Sequence, residues 1–219
     1  MAAGRVGPLL RELYQCLYET YGPQGWWPGE TPFEVAVGAI LTQNTNWGNA
    51  ARAIAALKDR DLLAPQALRE LPETELAQLI RPAGYYNLKA RRLRNFLDFL
   101  ADHFDNSMAR LAAADLARLR PALLDIKGVG PETADSILLY ALDKPTFVVD
   151  VYTFRILSRH GLAAEGCAYE ELRQLFMEHL PAQAPLYQEY HALLVRLGKE
   201  ECRPRPCCAA CPVAGWPAE

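Results

Sequence analysis

The sequence lacks any apolar run that approaches the roughly 18 uninterrupted residues needed to cross a bilayer. From this absence we expect no association with a membrane. Residues 1–6 also lack the charged and then apolar arrangement of a secretory signal, so we expect a cytoplasmic protein.

An excess of basic charge is missing as well. The 26 aspartates and glutamates outnumber the 23 lysines and arginines, and the formal net charge is −3. Proteins that bind nucleic acid over a general surface are usually basic. Any DNA binding by this chain must therefore come from a local patch.

Strand-like patterning is nearly absent. Only residues 146–149, Thr-Phe-Val-Val, look like a strand, and this run is too short to found a sheet. Elsewhere, apolar residues recur at the three-and-four spacing of a helix face. The sequence therefore predicts an all-α protein, with helices near residues 8–21, 32–41, 47–57, 73–80, 87–104, 115–124, 131–142, 150–159, 169–180 and 186–199.

Two of these helices have further features. Residues 31–34, Thr-Pro-Phe-Glu, match a capping box with proline in the first turn. The helix that they open is apolar on nearly all sides, so we expect it to be buried. Helix 87–104 carries an apolar stripe on one face, and its other face carries Lys89, Arg91, Arg92 and Arg94.

A glycine pair lies between two predicted helices, in the run Lys127-Gly128-Val129-Gly130-Pro131. Two glycines two residues apart permit a tight hairpin, and Pro131 suits the start of a helix. Main-chain N–H groups at such a turn suit a phosphate and need no basic side chain. The same pattern is also typical of a simple helix end followed by a turn, and the hairpin alone leaves both interpretations open.

Asp150 follows the apolar run Val148-Val149 and precedes a predicted helix. An aspartate in this position is a common helix N-cap, which is sufficient to explain it. A capping aspartate beside a DNA site can also act as a catalytic carboxylate, and the two roles are compatible.

The six cysteines are unevenly distributed. Cys16 and Cys167 are isolated, whereas the other four lie within ten residues near the C-terminus. In a cytosolic protein such density favours metal binding over disulfides. The histidines show no ligand spacing, and we interpret them as surface or packing residues: His103, His160, His179 and His191.

The hairpin, the Val-Val-Asp segment and the cysteine-rich tail together resemble the helix-hairpin-helix DNA glycosylases of the endonuclease III superfamily, over residues 32–211. The segment 41–45 is similar to the family segment that supplies a glutamine, here Gln43, to the gap left by a flipped base. The run 84–90 resembles the Gly-x-Tyr-Asn-x-Lys-Ala loop, whose second residue, here Tyr85, wedges into the duplex.

The resemblance is closest to the 3-methyladenine glycosylase branch, often labelled endonuclease III-related. Bifunctional members carry a Schiff-base lysine two residues after the last hairpin glycine, where this sequence has Glu132. Without that amine, β-elimination through a covalent imine is not expected. The implied function is monofunctional excision of alkylated purines. An oxidised-pyrimidine glycosylase with AP lyase activity and a non-catalytic lesion-binding protein remain alternatives.

The resemblance also implies a partner and roles for individual residues. The partner is double-stranded DNA with damaged bases, bound by a monomer, and Asp150 is the catalytic candidate. Expected DNA contacts come from Gln43, Tyr85, Lys127, Gly128, Val129, Gly130 and Thr133. The candidate base pocket has Trp26, Trp27, Trp47, Glu132 and Lys199. Each of these side chains also has a simpler interpretation. The tryptophans could fill the core, Tyr85 could cover a helix end, and Lys199 could complement a helix dipole.

Iron–sulfur members of the superfamily use the spacing C-x6-C-x2-C-x5-C. Cys208 and Cys211 match its middle pair, but Cys202 is one residue too close and Pro217 stands in the fourth position. Cys207 is extra. Either Cys207 replaces the missing ligand or the cluster has decayed. Given the family, a structural [4Fe–4S] cluster is favoured over zinc, with ligands Cys202, Cys207, Cys208 and Cys211.

The resemblance implies two lobes. We expect a helical barrel with the hairpin over residues 30–134. Residues 1–29 and 135–219 would form a second lobe that carries the cysteine cluster.

Overall fold

The computed structural model describes residues 5–164 and 166–217, and within these residues the regular structure is helical throughout. The prediction of an all-α protein is therefore confirmed. In this part of the chain, no helix combines the length and the apolar character that a bilayer crossing requires. The α-helices are α1 (Val6–Tyr21), α2 (Pro32–Leu41), α3 (Trp47–Lys58), α4 (Pro65–Glu70), α5 (Glu73–Leu79), α6 (Tyr86–Phe104), α7 (Met108–Ala113), α8 (Leu116–Leu124), α9 (Pro131–Ser136), α10 (Val151–Arg159), α11 (Tyr169–His179) and α12 (Ala184–Glu200).

Each predicted helix is present with its ends displaced by at most a few residues, and two short helices, α4 and α7, were not predicted. The strand-like run 146–149 is not a strand. Phe147 in this run is fully buried and stacks on Phe176, with ring centroids 3.7 Å apart. The β-branched and aromatic residues of the run therefore reflect burial of an extended connection rather than strand pairing.

Helix α2 begins as its sequence predicts, with one difference. Thr31 Oγ1 accepts a hydrogen bond from Glu34 N at 3.1 Å, and all residues after Pro32 are buried. The reciprocal bond expected in a capping box goes elsewhere: Glu34 Oε2 accepts from Glu30 N at 3.1 Å. The same oxygen of this carboxylate also pairs with Lys58 at 2.9 Å.

The chain divides into two compact units, Trp27–Lys144 and Met1–Trp26 with Pro145–Glu219. The predicted boundaries were residues 30 and 134. The second boundary lies later in the structure because α9 continues into a π-helical segment, Ile137–Ala141, which is buried and packs on α2. This segment therefore belongs to the unit that contains the hairpin.

In the unit Trp27–Lys144, helix α6 packs on α4, α5 and α2. The structure differs from the sequence pattern at Lys89, which the helical period assigns to the polar face. Lys89 is only 1% exposed. It is buried because its ammonium has polar partners on two other segments, which a helical pattern does not reveal.

In the other unit, α10 packs on α12. The close approach depends on Gly198, since a Cβ atom there would lie 2.5 Å from the ring of Tyr152. Helix α12 also packs on α1, and Tyr190 in α12 donates a hydrogen bond to Leu10 O at 2.7 Å. This packing fixes α10, whose N-cap is Asp150.

Candidate active site

The glycine pair forms the predicted hairpin between α8 and α9. Val129 N donates to Ile126 O at 2.9 Å, and Gly128 has a φ of 95°, in the region that favours glycine. A Cβ atom on Gly128 would also lie 2.5 Å from Arg92 Cγ. Val129 is buried, whereas Lys127, Gly128 and Gly130 are exposed. The exposed turn is a suitable surface for a phosphate backbone.

Gln43 is joined to this hairpin. Its Nε2 donates to Gly128 O at 3.0 Å and to Thr133 Oγ1 at 2.9 Å, and its Oε1 accepts from Arg92. Three of the predicted DNA-binding residues therefore form one hydrogen-bonded group. In the structure the amide of Gln43 holds the hairpin, so entry of Gln43 into a duplex requires these bonds to be exchanged.

Tyr85 lies on the surface immediately before α6. Its side chain is 69% exposed, and Leu88 one turn later is also exposed. The backbone of Tyr85 is left-handed, with φ 45° and ψ 34°, which is unusual for a non-glycine residue. An exposed ring on a constrained backbone is the geometry that a wedge residue needs.

Two of the three candidate pocket tryptophans meet in the unit Trp27–Lys144. The rings of Trp27 and Trp47 make an edge-to-face contact with centroids 5.4 Å apart, and Tyr140 lies 5.4 Å from Trp27. Gly38 provides the space, because a Cβ atom there would lie 3.1 Å from the Trp47 ring. Trp27 and Trp47 are only partly buried, whereas Tyr140 is buried. Glu132, also in this unit, is exposed in the first turn of α9.

Trp26 belongs to the other unit, where Lys199 Nζ lies over its ring at 5.4 Å from the centroid. This is a cation–π contact. Lys199 is the basic residue of the last turn of α12, as the simpler interpretation of the sequence has it. A base that stacks on Trp26 would have to use the opposite face of the indole.

Asp150 is the N-cap of α10, as predicted. Its Oδ1 accepts hydrogen bonds from Tyr152 N at 3.0 Å, Thr153 N at 2.8 Å and Thr153 Oγ1 at 3.0 Å. Its other oxygen, Oδ2, lies 3.6 Å from His191 Nε2, and the carboxylate is 11% exposed.

The environment keeps Asp150 ionised. Burial acts to raise the pKa of the carboxyl group, but His191 and the bonds from Thr153 outweigh it, so the pKa lies below the ordinary aspartate value. An ionised carboxylate stabilises a nearby positive charge or orients a water molecule. It is not a proton donor near neutral pH.

The role of His191 was not predicted from the sequence. The side chain is buried in α12 and faces Asp150, rather than lying on the surface or serving only in packing. In the sequence, His191 lies between Tyr190 and the apolar residues Ala192 and Leu193, all of which are buried in the structure. These neighbours were the indication that His191 itself is buried. A buried imidazole requires a polar partner. This requirement was the one indication in the sequence that a polar group such as a carboxylate lies near His191.

The cysteine-rich segment does not bring its four sulfur atoms together. Cys202 is buried, and it lines a cavity of about 360 Å³ together with Cys208 and Cys211. Cys207 is exposed and is not among the lining residues. Across residues 5–164 and 166–217, no three histidine, cysteine or acidic side chains are arranged to hold a metal ion. The expected four-cysteine ligand set does not fit this geometry, because Cys207 is exposed and lies outside the cavity that the other three cysteines line.

Two arginines of α10 hold the cysteine-rich segment in place. Arg155 Nε donates to Cys202 O at 2.6 Å, and Arg159 donates to Cys202 Sγ at 3.2 Å and to Arg203 O at 2.7 Å. The [4Fe–4S] cluster stays a prediction of the family resemblance, and no step of the reaction proposed below depends on it.

Comparison with known proteins identifies the family. Residues 37–182 match the model of the HhH-GPD superfamily base excision DNA repair proteins. A Methanocaldococcus jannaschii protein, provisionally named a DNA repair glycosylase, is 49% identical over 207 residues, which are 94% of each chain.

The solved structures that are similar to this one include a 3-methyladenine DNA glycosylase and an endonuclease III. The Helicobacter pylori 3-methyladenine DNA glycosylase MagIII bound to 1,N6-ethenoadenine has a TM-score of 0.75 at 29% identity, over 91% of this chain and 98% of that one. A non-covalent endonuclease III–DNA complex has a TM-score of 0.80 at 22% identity, over 94% of this chain and 92% of that one, and it supports the fold. The chain belongs to the HhH-GPD superfamily of base excision DNA repair proteins and is a DNA glycosylase of that family.

Proposed function

We propose that this glycosylase is monofunctional and that it releases alkylated purines such as 3-methyladenine by hydrolysis of the N-glycosidic bond. The observation that carries the proposal is the identity of residue 132. Glu132 stands two residues after Gly130, where bifunctional relatives of the family have their Schiff-base lysine. A carboxylate cannot form an imine with the sugar, so hydrolysis by water is the remaining route to base release.

The chemistry follows from an ionised Asp150. As the bond between the anomeric carbon and the base nitrogen breaks, the electron pair leaves with the base and positive charge develops on the sugar. Asp150 Oδ2 stabilises this charge, while Oδ1 remains bound to the first turn of α10. Water then adds to the anomeric carbon and loses a proton to solvent.

The state of Asp150 also favours an alkylated substrate. With its pKa lowered, the carboxyl group has no proton to give to a departing base. Alkylation of a ring nitrogen makes the purine a good leaving group that needs no protonation. An enzyme with this carboxylate is therefore suited to bases that are already activated.

The indoles supply a matching base site. A flat ring that carries the positive charge left by alkylation is attracted to the face of tryptophan by a cation–π interaction, worth roughly 0.5–2 kcal/mol depending on burial. Trp47 and Trp27 are in edge-to-face contact and pack on Gly38. The 29% identity to a 3-methyladenine glycosylase of the same fold supports the same substrate class. We propose Trp47 and Trp27 as the residues that hold the extruded base.

One experiment distinguishes this proposal from its two alternatives. The protein is incubated with duplex DNA treated with a methylating agent, and the released bases are identified by chromatography. In parallel, it is incubated with an abasic duplex in the presence of borohydride. We expect free methylated purines and no covalent adduct.

Each alternative gives a different result. A borohydride-trapped adduct would indicate a lyase, with Lys127 or Lys199 as the first amines to test. Binding to the lesion without release of any base would indicate a non-catalytic protein. A third incubation uses a duplex that contains oxidised pyrimidines, and release of base from this duplex alone would refute the substrate class and leave the hydrolytic mechanism in place.

A further inference from the structure

Lys89 makes two hydrogen bonds that connect distant parts of the chain. Its Nζ donates to Leu41 O at 2.9 Å and to Ala83 O at 2.6 Å. Leu41 is the last residue of α2, and Ala83 ends a short 3₁₀ turn, Arg81–Ala83. Both acceptors are main-chain carbonyls, so the ammonium fixes the path of two backbone segments rather than the position of a side chain.

Each of the two carbonyls lies two residues before a residue that is proposed to enter DNA. Gln43 lies two residues after Leu41, and Tyr85 lies two residues after Ala83. A single ammonium therefore sets the distance between the segment that carries Gln43 and the segment that carries Tyr85. We propose that Lys89 is a positioning residue that holds these two segments in the register needed to enter the duplex together.

Backbone strain occurs at the same two places. Asn44, directly after Gln43, has a φ of 53°, and Tyr85 has a φ of 45°. Non-glycine residues adopt this conformation at a cost and keep it only where the surroundings fix it. Lys89 supplies a bond to each segment just before the strained residue. The arrangement therefore preorganises both segments before DNA is bound.

The free-energy cost of burying Lys89 agrees with a role beyond filling the core. Lys89 is 1% exposed, and burial, together with the nearby Arg92, lowers its pKa to about 8. A buried ammonium costs free energy that an apolar side chain of the same length would not. Arg92 lies one turn further along α6 and contacts Gln43, and Asn95 donates to Lys127 O at 2.7 Å. One polar stripe of α6 therefore bonds to Gln43, to the segment that precedes Tyr85 and to the hairpin.

The inference rests on the proposed roles of Gln43 and Tyr85 in the proposed function. It is tested with a duplex that contains a tetrahydrofuran abasic analogue opposite a fluorescent adenine analogue. Entry of Gln43 and Tyr85 unstacks the fluorescent base and raises its emission. This probe requires no lesion specificity and no base release.

The variant is Lys89→Met, which keeps the length of the side chain and removes its donors. We expect it to lose most of the fluorescence rise and to slow base release by about tenfold to a hundredfold, as small misplacements do. We expect its affinity for undamaged duplex to change by less than about threefold, because the exposed basic groups are unchanged. Arg110→Met is the matched control, since it removes one charge from a 66% exposed side chain of α7 in the same unit.

A double-mutant cycle separates positioning from a general loss of stability. The cycle is read out as the rate of base release: in a Gln43→Ala, Tyr85→Ala background, Lys89→Met should cause no further slowing of the residual rate, because there is nothing left to position. A purely structural role would give the same proportional loss in both backgrounds. Circular dichroism melting is recorded for each variant. If Lys89→Met does not fold, Lys89→Gln takes its place, because its shorter amide cannot reach both carbonyls.

The failures are distinguishable. If the wild type gives no fluorescence rise but releases methylated bases, the roles of Gln43 and Tyr85 are wrong and this inference falls while the proposed function stands. If the wild type gives the rise and a folded Lys89 variant keeps it, Lys89 is only a core residue. If the wild type gives the rise but releases no base, the positioning role is tested as designed and the proposed function fails.

Discussion

His191 Nε2 lies 3.6 Å from Asp150 Oδ2, with 6% of the histidine side chain and 11% of the aspartate side chain exposed. Three donors in the first turn of α10 hold the other carboxylate oxygen. The capping role and the candidate catalytic role of Asp150 therefore use different oxygen atoms. His191 stands beside the oxygen that remains for the reaction.

Replacement of His191 should shift the pH dependence of base release. His191 helps to keep the pKa of Asp150 below its ordinary value, so His191→Phe should raise that pKa. The acidic limb of the pH–rate profile should then move to higher pH, measured as single-turnover base release. His179→Gln, a change in α11 of the same unit, is the control. An unshifted acidic limb in folded His191→Phe would remove His191 from the mechanism.

Asp150→Asn should remove catalysis and keep the fold. Asparagine is as good an N-cap as aspartate, so the start of α10 should be preserved. The neutral amide no longer stabilises the developing positive charge, and base release should fall by about a hundredfold or more. Affinity for a lesion duplex should stay within a few-fold. Asp115→Asn makes the same change at the N-cap of α8 and should keep wild-type activity. Near-normal turnover by Asp150→Asn would show that another group carries the chemistry.

The same substitution should alter acid stability. Because the pKa of Asp150 is depressed in the folded state, its contribution to the free energy of unfolding is fully present above the ordinary aspartate pKa of about 4. It is lost as the pH falls below that value and through the folded pKa. Asp150→Asn should lack this part of the acid-induced loss in denaturant melts at a series of pH values. Parallel curves for the two proteins would mean that the folded and unfolded pKa values are equal.

The sequence predicts elements that depend on local chemistry. The hairpin, the Thr31 cap and the Asp150 cap are each specified by neighbouring residues, and the structure has all three. Lys89 and His191 depend on partners in other segments of the chain. A helical period assigns Lys89 to a polar face. It does not reveal that Lys89 is buried, because the carbonyls that accept hydrogen bonds from its ammonium belong to other segments.

The tryptophans show a second limit. Trp26 and Trp27 are adjacent in sequence, and composition gives no reason to separate them. In the structure they fall in different units, Trp26 against Lys199 and Trp27 against Trp47. The chemistry of indole faces made all three tryptophans candidates for the base pocket and the family resemblance favoured Trp47, but tertiary packing alone decides which indoles meet.

Trp47→Ala should weaken base release far more than it weakens binding to an abasic duplex. The indole is proposed to contact the extruded base, which the abasic duplex lacks. Stacking of a base on an aromatic ring is worth about 1–3 kcal/mol, so a loss of roughly tenfold or more is expected. Trp47→Phe should retain most of the activity. Because Trp47 also packs on Trp27 and Gly38, melting temperatures are compared for both variants. Equal losses with both duplexes would mean that Trp47 only supports the fold.

Cys207→Ser should have little effect on the cysteine-rich segment. Cys207 is exposed and lies outside the cavity lined by Cys202, Cys208 and Cys211. Protein purified without oxygen should therefore keep the iron content and the melting temperature of the wild type. Cys202→Ala is the contrasting variant, because Cys202 is 6% exposed and its sulfur accepts a hydrogen bond from Arg159. It should lower the melting temperature, since it leaves a cavity and removes one of the hydrogen bonds by which Arg159 holds the segment. A loss of iron from Cys207→Ser would identify Cys207 as a ligand and would require the segment to rearrange when metal binds.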